Sequence, residues 1–165
     1  MRYRVFLALL SVTTAGTATA YGQNANYFCS SEVEAGMSYD SSLKEWRGTR
    51  FKEKEKFILK TQFVRTESFG NQTIEFYNVT VTLEGRESQE DCYAQMYGEP
   101  GDPRDVGAFS NTKVLNCSTL SRTYKFNLKT SRFLSAYVEG YVNGDNNNDT
   151  PAFAAGKCTK IGSAH

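Results

Sequence analysis

The fold is decided by the stretch Lys56-Phe57-Ile58-Leu59-Lys60-Thr61-Gln62-Phe63, in which apolar and polar side chains alternate. Every second residue from Phe57 to Phe63 falls on one face, with two lysines and a glutamine on the other. Side chains of a strand point to opposite faces in turn, so this pattern predicts a strand with one buried face. A helix would instead repeat its apolar residues every three or four positions.

The same alternation continues outward along the chain in both directions. Residues 77–83 and 124–129 repeat it, and residues 133–142 predict a longer strand with both faces covered. Weaker strand candidates are residues 27–33, 46–51, 92–97, 113–119 and 157–161, while residues 40–46 form a short helical candidate. Asn143-Gly144 is the preferred dipeptide of a tight hairpin turn. The sequence therefore predicts an all-β fold, an antiparallel barrel or sandwich of about 8–9 short strands.

The N-terminal residues have the order of an export signal. Arg2 and Arg4 precede the apolar run 5–12, and Ala18-Thr19-Ala20 is a small-residue cleavage site. We expect residues 1–20 to be a cleaved signal peptide and residues 21–165 to form a single β-rich domain, periplasmic or extracellular. The apolar run is shorter than the ~20 residues that a membrane span requires, and no later stretch predicts a span.

Four cysteines follow the signal, and an even number in an exported chain indicates a disulfide framework. Four cysteines can pair in three ways. We favour Cys29–Cys158, which would tie the two ends of the domain together. The second bridge would then be Cys92–Cys117, which would restrain a segment rich in loop signals, including Pro100 and Pro103. The spacings are not those of zinc or redox Cys-x-x-Cys motifs.

The charge balance argues against nucleic acid and anionic membranes as partners. The full chain has 19 Lys and Arg against 18 Asp and Glu, and loss of Arg2 and Arg4 leaves 17 against 18. A nearly neutral domain has no electrostatic footprint for polyanions. Residues 52–56 alternate in sign, which predicts a solvated turn or a charged edge strand.

No recognisable catalytic constellation is present in the sequence. The one histidine is His165, at the end of the chain, where an ordered role in a Ser-His-Asp or Cys-His mechanism is not expected. The 18 acidic residues leave carboxylate chemistry open, but no spacing singles out a pair. Enzyme activity is therefore the least favoured function.

An Asn- and Asp-rich segment is the single candidate for a metal site. Asp145, Asn147 and Asp149 place oxygen ligands on alternate positions, as calcium prefers. The EF-hand pattern fails, because Thr150 and Gly156 stand where that loop needs Gly and Glu. A solvated hairpin loop is the preferred interpretation, calcium is the alternative, and we expect no other cofactor.

The aromatic side chains give the one positive indication of binding. Along the predicted strands they could line the interior of a small barrel, which is either filled by side chains or holds one small ligand. The candidate ligand-binding residues are Trp46, Phe57, Phe63, Tyr77, Tyr124, Phe126 and Tyr137.

Several motifs are shared with a known family. The first part of the pattern is Tyr27-Phe28-Cys29, Trp46-Arg47-Gly48-Thr49 and residues 56–60. Residues 124–128, 132–134 and 143–161 complete it. In these motifs the chain resembles a family of small exported proteins from soil and root-associated alphaproteobacteria. The family carries no assigned activity, so the resemblance implies a bacterial periplasmic or secreted setting and nothing more.

Two functions compete at this point. The first is a non-catalytic β-domain that binds a small molecule or an envelope or surface ligand. The alternative is a protein-interaction module, a hydrolase inhibitor or secreted effector, that uses the loop region 93–116, because a disulfide there would preorganise the loop. We expect a monomer whose partner is a small molecule or an envelope protein.

Overall fold

The computed structural model describes residues 23–52, 54–95, 102–138, 141–142, 147 and 149–162. The ten elements bounded in these residues are all strands, so the all-β prediction is confirmed. They are β1 (Ala25–Asp40), β2 (Glu45–Arg50), β3 (Lys56–Phe69), β4 (Gln72–Leu83), β5 (Glu90–Ala94), β6 (Asp105–Phe109), β7 (Val114–Ser118), β8 (Thr123–Asn127), β9 (Arg132–Tyr137) and β10 (Ala152–Lys160).

All ten strands belong to one antiparallel sheet whose pairings return to their starting point. The order runs β10-β9-β8-β7-β5-β4-β3-β1, and β1 pairs with β10 to close the ring. Two strands lie off the ring: β2 pairs with the second half of β1, and β6 pairs with the first half of β4. The sheet is therefore ring-like and has an inner and an outer face.

The alternation in the sequence places one face of each long strand inside the ring. On β3, Phe57 and Leu59 are buried, and on β4, Tyr77 and Val79 are buried. The two strands form a long hairpin that turns at Gly70, whose φ of 58° is a backbone conformation that glycine adopts without steric cost. The one-face burial predicted for residues 57–63 and 77–83 is confirmed.

Aromatic side chains fill the interior of the closed sheet. The centroid of the Phe57 ring lies 5.3 Å from that of Tyr124 and 4.9 Å from that of Phe133. The rings of Tyr27 and Phe126 meet edge to face at 4.9 Å. Such contacts add to the hydrophobic stabilisation of burial, and they make this region a packed core.

Both predicted disulfides are present. Cys29 lies directly opposite Cys158 in the register of β1 and β10, so this bridge crosses the pair that closes the ring. Cys92 and Cys117 join β5 to β7. Disulfides of this kind are typical of an oxidising, exported environment.

Close packing of β1 against β10 requires glycine at two positions. A Cβ on Gly156 would lie 2.2 Å from the carbonyl oxygen of Ser30, and one on Gly36 would lie 2.0 Å from that of Pro151. The register shifts between Ser31 and Val33, a β-bulge that bends β1 at this approach.

Two secondary-structure predictions are wrong. Residues 40–46 are not helical, because the Asp40 carboxylate accepts hydrogen bonds from the backbone N–H groups of Ser42 and Leu43, at 3.0 and 3.2 Å, and holds a turn. The strand predicted over residues 133–142 ends at Tyr137, and its outer face is not covered, since Leu134 is 56% exposed. Its outward apolar residues belong to an exposed patch described below.

The segment between Cys92 and Cys117 is not a single loop. It contains β6, which the sequence did not predict, and its ends belong to β5 and β7. Val106 and Ala108 of β6 are buried in the core. The interaction module proposed from a 93–116 loop therefore loses most of that loop, and residues 96–101 lie outside the described part of the chain.

Candidate functional site

Each end of the ring carries a buried carboxylate that is paired with a cation. Glu75 of β4 lies at the end where β1 begins and β10 finishes, whereas Glu55 precedes β3 and its backbone carbonyl oxygen accepts a hydrogen bond from the N–H of Ser31, further along β1. The side chains of Glu75 and Glu55 are only 8% and 5% exposed. Carboxylates are almost never buried unless they are paired, so both ends are candidate sites.

Glu75 is held by a cation and a phenol. Its two oxygens each accept a hydrogen bond from the Lys113 ammonium, at 2.6 Å, and one also accepts from the Tyr77 hydroxyl, at 2.7 Å. Glu75 and Tyr77 are two residues apart on β4, so both side chains point to the inner face. The carboxylate is therefore fixed in position before any ligand arrives.

The backbone around Lys113 is also fixed. Lys113 has a φ of 56°, and its N–H donates to the carbonyl oxygen of Phe109 at 2.7 Å. Its own carbonyl oxygen accepts from the N–H of Leu128, at 2.8 Å. These bonds tie the turn between β6 and β7 to the end of β8 and direct the ammonium toward Glu75.

The Glu75 end opens to solvent as a concavity of about 480 Å³. We call it the Glu75 mouth and define it by Tyr27, Glu75, Tyr77, Lys113, Lys129 and Lys160, which line it together with polar and apolar neighbours. Its three lysines face one carboxylate, so the mouth carries an excess of positive charge. Its volume lies in the range of small-molecule sites.

The phenols beneath this mouth and in the core are held in their neutral form. Burial raises the pKa of Tyr27, and burial together with the hydrogen bond to Glu75 raises the pKa of Tyr77. Burial, aided by the charge of Glu55, raises the pKa of Tyr124.

These shifts predict a loss of stability in alkali. A raised pKa in the folded state contributes stability that is complete below the ordinary tyrosine value of 10.0 and is lost as the pH rises above it. We expect absorbance titration to show that Tyr77 and Tyr124 ionise only as the circular dichroism of the fold is lost. Ionisation of all phenols in one step with the fold intact would contradict this.

The opposite end is built from the Glu55 cluster, which consists of Ser31, Glu55, Arg122 and Ser135. One Glu55 oxygen accepts from the Arg122 guanidinium at 3.1 Å and from the Ser135 hydroxyl at 2.7 Å. The other oxygen and the Ser31 hydroxyl are buried and find no hydrogen-bond partner among the described residues. The cluster is nearly neutral and is largely enclosed.

The sequence prediction that residues 52–56 form a solvated or charged-edge segment is wrong at Glu55. The inward positions Phe57 and Leu59 continue backward by two to Glu55, so its side chain enters the ring just before β3 begins. Extending the alternation by one step would have identified it.

The seven aromatic candidates do not share one cavity. Phe57, Tyr77, Tyr124 and Phe126 are core residues, exposed by 3% or less, and Phe63 packs against Tyr77 at 5.8 Å. Trp46 lies outside this core on β2, between the rings of Tyr39 and Tyr141. The Tyr137 ring lies 5.7 Å from the Arg122 guanidinium. Of the seven, Tyr77 alone lines the Glu75 mouth.

The calcium candidates are only partly described. Asp145 lies outside the described residues, Asn147 is exposed, and Asp149 accepts a hydrogen bond from the Tyr137 hydroxyl at 2.5 Å. Among the described residues, no three His, Cys, Asp or Glu side chains gather as a metal site. Calcium binding stays a prediction.

The outer face of the sheet carries an apolar groove of about 380 Å³. The register places Leu134 of β9 opposite Ala155 of β10, and Ala155 opposite Val33 of β1. Phe153 lies in the next row, and Lys125 of β8 is the one charged side chain of the lining. Val33, Leu134 and Phe153 are between 44% and 60% exposed.

Comparisons with protein-family models, with curated proteins and with solved structures find no match to this chain. In the part of the chain that the structure describes, no helix has the length and apolar character that a membrane crossing needs.

Proposed function

We propose that this chain is an exported, non-catalytic β-domain that binds a small ligand at the Glu75 mouth, in the periplasm or outside the cell. The observation that carries the proposal is the concavity of about 480 Å³ with a buried, ion-paired carboxylate in its wall. Small-molecule sites combine such a concave shape with a few fixed polar groups. Hydrogen bonds from Lys113 and Tyr77 hold the Glu75 carboxylate in place.

The surrounding scaffold supports a preorganised site. Residues of the mouth come from β1, β4, β10 and the turns beside β7 and β8, and hydrogen bonds of the closed ring hold these elements together. The Cys29–Cys158 bridge joins two of them. A site on a rigid framework loses little conformational entropy when it binds, which favours affinity.

Backbone amide NMR spectra recorded with a panel of sugars, organic acids, amino acids and phosphate test this proposal. We expect at least one class to shift the amides of Tyr27, Glu75 and Leu128. Glu75→Gln should weaken that binding about tenfold or more, because it removes the charge that fixes Lys113. The control is Glu55→Gln, which makes the same change at the other end of the ring and should leave the affinity unchanged.

Each variant must first show wild-type circular dichroism. A panel that leaves the mouth unperturbed would overturn the proposal, as would shifts confined to another part of the surface. Equal affinities of Glu75→Gln and Glu55→Gln for the ligand would also remove Glu75 from the site.

A second candidate is a protein-interaction module, and the outward apolar groove favours it. Exposed Val33, Leu134 and Phe153 form a contiguous apolar patch, and such patches often mark contact surfaces. This candidate takes precedence if the small-molecule panel fails. It uses the face formed by β1, β9 and β10, whereas the alternative drawn from the sequence used residues 93–116.

A further inference from the structure

We infer that the ligand of the Glu75 mouth is a small hydroxylated carboxylic acid, of which a sugar acid is the type. This inference rests on the proposed function and names the chemical class that the mouth recognises. The charges of the rim, the fixed acceptor in the wall and the neutral hydrogen-bonding groups beside it carry the inference.

The rim offers two ammonium groups that form no ion pair within the described part of the chain. Lys113 is committed to Glu75 at 2.6 Å, whereas Lys129 and Lys160 make no ion pair with any described residue. Lys160 shares the inner face of β10 with buried Cys158, two residues before it, and lies opposite Tyr27 of β1. Its side chain therefore extends over the mouth instead of along the outer surface.

Lys129 is also directed by its local structure. The Asn127 side-chain oxygen accepts hydrogen bonds from the N–H groups of Lys129 and Thr130, both at 2.9 Å. This turn follows β8 directly and places Lys129 at the rim beside Leu128. Two cations at one opening attract an anion.

The polar groups that line the mouth are suited to bind ligand hydroxyl groups. The Glu75 carboxylate is a hydrogen-bond acceptor that Lys113 holds in place, and a ligand hydroxyl can donate to it. Ser110, Asn111 and Gln23 add a hydroxyl and two amides to the lining. A ligand with one acidic group toward the rim lysines and hydroxyls toward the wall satisfies both sets of partners.

The same wall disfavours a phosphate dianion. The second negative charge of phosphate would lie near the fixed charge of Glu75 in a site partly shielded from water, where like charges repel more strongly than in bulk solvent. A neutral sugar, in contrast, would leave Lys129 and Lys160 without a charge partner. The inference therefore predicts a preference for monocarboxylates over both.

The experiment uses four matched probes: glucuronate, its neutral methyl ester, glucose and inorganic phosphate. The readout is the shift of mouth amides in NMR titrations at low and at physiological salt. We expect glucuronate to bind about tenfold more tightly than the ester, with a margin that shrinks as salt is added. Lys129→Gln and Lys160→Gln should each weaken glucuronate about threefold to fivefold, the upper range for an exposed ion pair.

Lys125→Gln is the matched control, because Lys125 is an exposed lysine of the outer groove. It should leave the affinity for glucuronate unchanged. A short oligomer of glucuronate distinguishes the two sources of this chemistry. Tighter binding of the oligomer assigns a polysaccharide, and binding of the monomer alone assigns a free sugar acid.

The outcomes separate this inference from the proposed function. Equal binding of glucuronate, the ester and glucose at the mouth overturns the inference and leaves the proposed function standing. Phosphate binding as tight as glucuronate also overturns it. If these probes and the wider panel all fail at the mouth, both proposals fall.

Discussion

Replacing Cys29 and Cys158 together by alanine lowers the free energy of unfolding by about 5 kcal/mol. The bridge spans 129 positions of sequence. In the chain-entropy account, a cross-link of that span lowers the conformational entropy of the unfolded chain, which raises its free energy by about 5 kcal/mol. Cys29 and Cys158 also lie in the strand pair that closes the ring, since β1 and β10 meet there. Urea unfolding of the oxidised variant and the oxidised wild type measures the difference.

The matched control is the double alanine replacement of Cys92 and Cys117. That bridge spans 25 positions, so its loss should cost about 3.5 kcal/mol by the same account. All four cysteines are buried, which keeps the packing change similar. A larger loss for the shorter bridge would contradict the chain-entropy explanation.

Gly156→Ala lowers the stability by about 3 kcal/mol, the upper range for overpacking a close contact. The new methyl group would lie 2.2 Å from the Ser30 carbonyl oxygen and 2.7 Å from the Phe133 ring. The Phe133 side chain can rotate only against other core side chains, and the carbonyl oxygen belongs to the backbone of β1. The pairing of β1 with β10 must therefore shift to admit the methyl group. Thermal and urea unfolding, followed by circular dichroism, give the loss.

Gly48→Ala is the matched control, because Gly48 also lies in a strand but has nothing within 4 Å of the added atom. We expect a change of less than about 1 kcal/mol, toward higher stability, since alanine restricts the unfolded chain. Similar losses in the two variants would show that the effect comes from the strand backbone and not from the close approach.

Much of the fold follows from local periodicity. The alternation of residues 57–63 and 77–83 needs no tertiary information, because burial of one face gives the same pattern in any ring or sandwich. The cysteine pairing follows from a similarly simple consideration, that Cys29 and Cys158 lie near the two ends of the β-rich region.

The secondary structure that was not predicted from the sequence depends on tertiary or side-chain contacts. β6 is five residues long, contains Gly107, and is held by its pairing with the first half of β4, next to the part of β4 that pairs with β5. A segment so short carries too few alternations to be recognised alone. The turn after β1 depends on the Asp40 carboxylate, whose local hydrogen bonds compete with a helix.

The candidate site was beyond reach of the sequence for a related reason. Glu75 and Lys113 are separated by 38 residues, and β6 brings them together. The parity of β4 does place Glu75 on the same face as Tyr77, so its burial could have been inferred. Its partner could not be inferred, because Lys113 is itself the left-handed residue of a turn that has no distinctive sequence signal.

The two bridges also determine what a protease can achieve. Cys29 and Cys158 make nearly the whole described chain a covalent macrocycle, so one cut anywhere between them releases no fragment. A cut between Cys92 and Cys117 leaves the pieces joined twice. Nicked molecules would therefore remain one covalently joined molecule until the bridges are reduced. In an oxidising environment, where both bridges persist, a single cleavage between Cys29 and Cys158 would not separate the chain into two molecules.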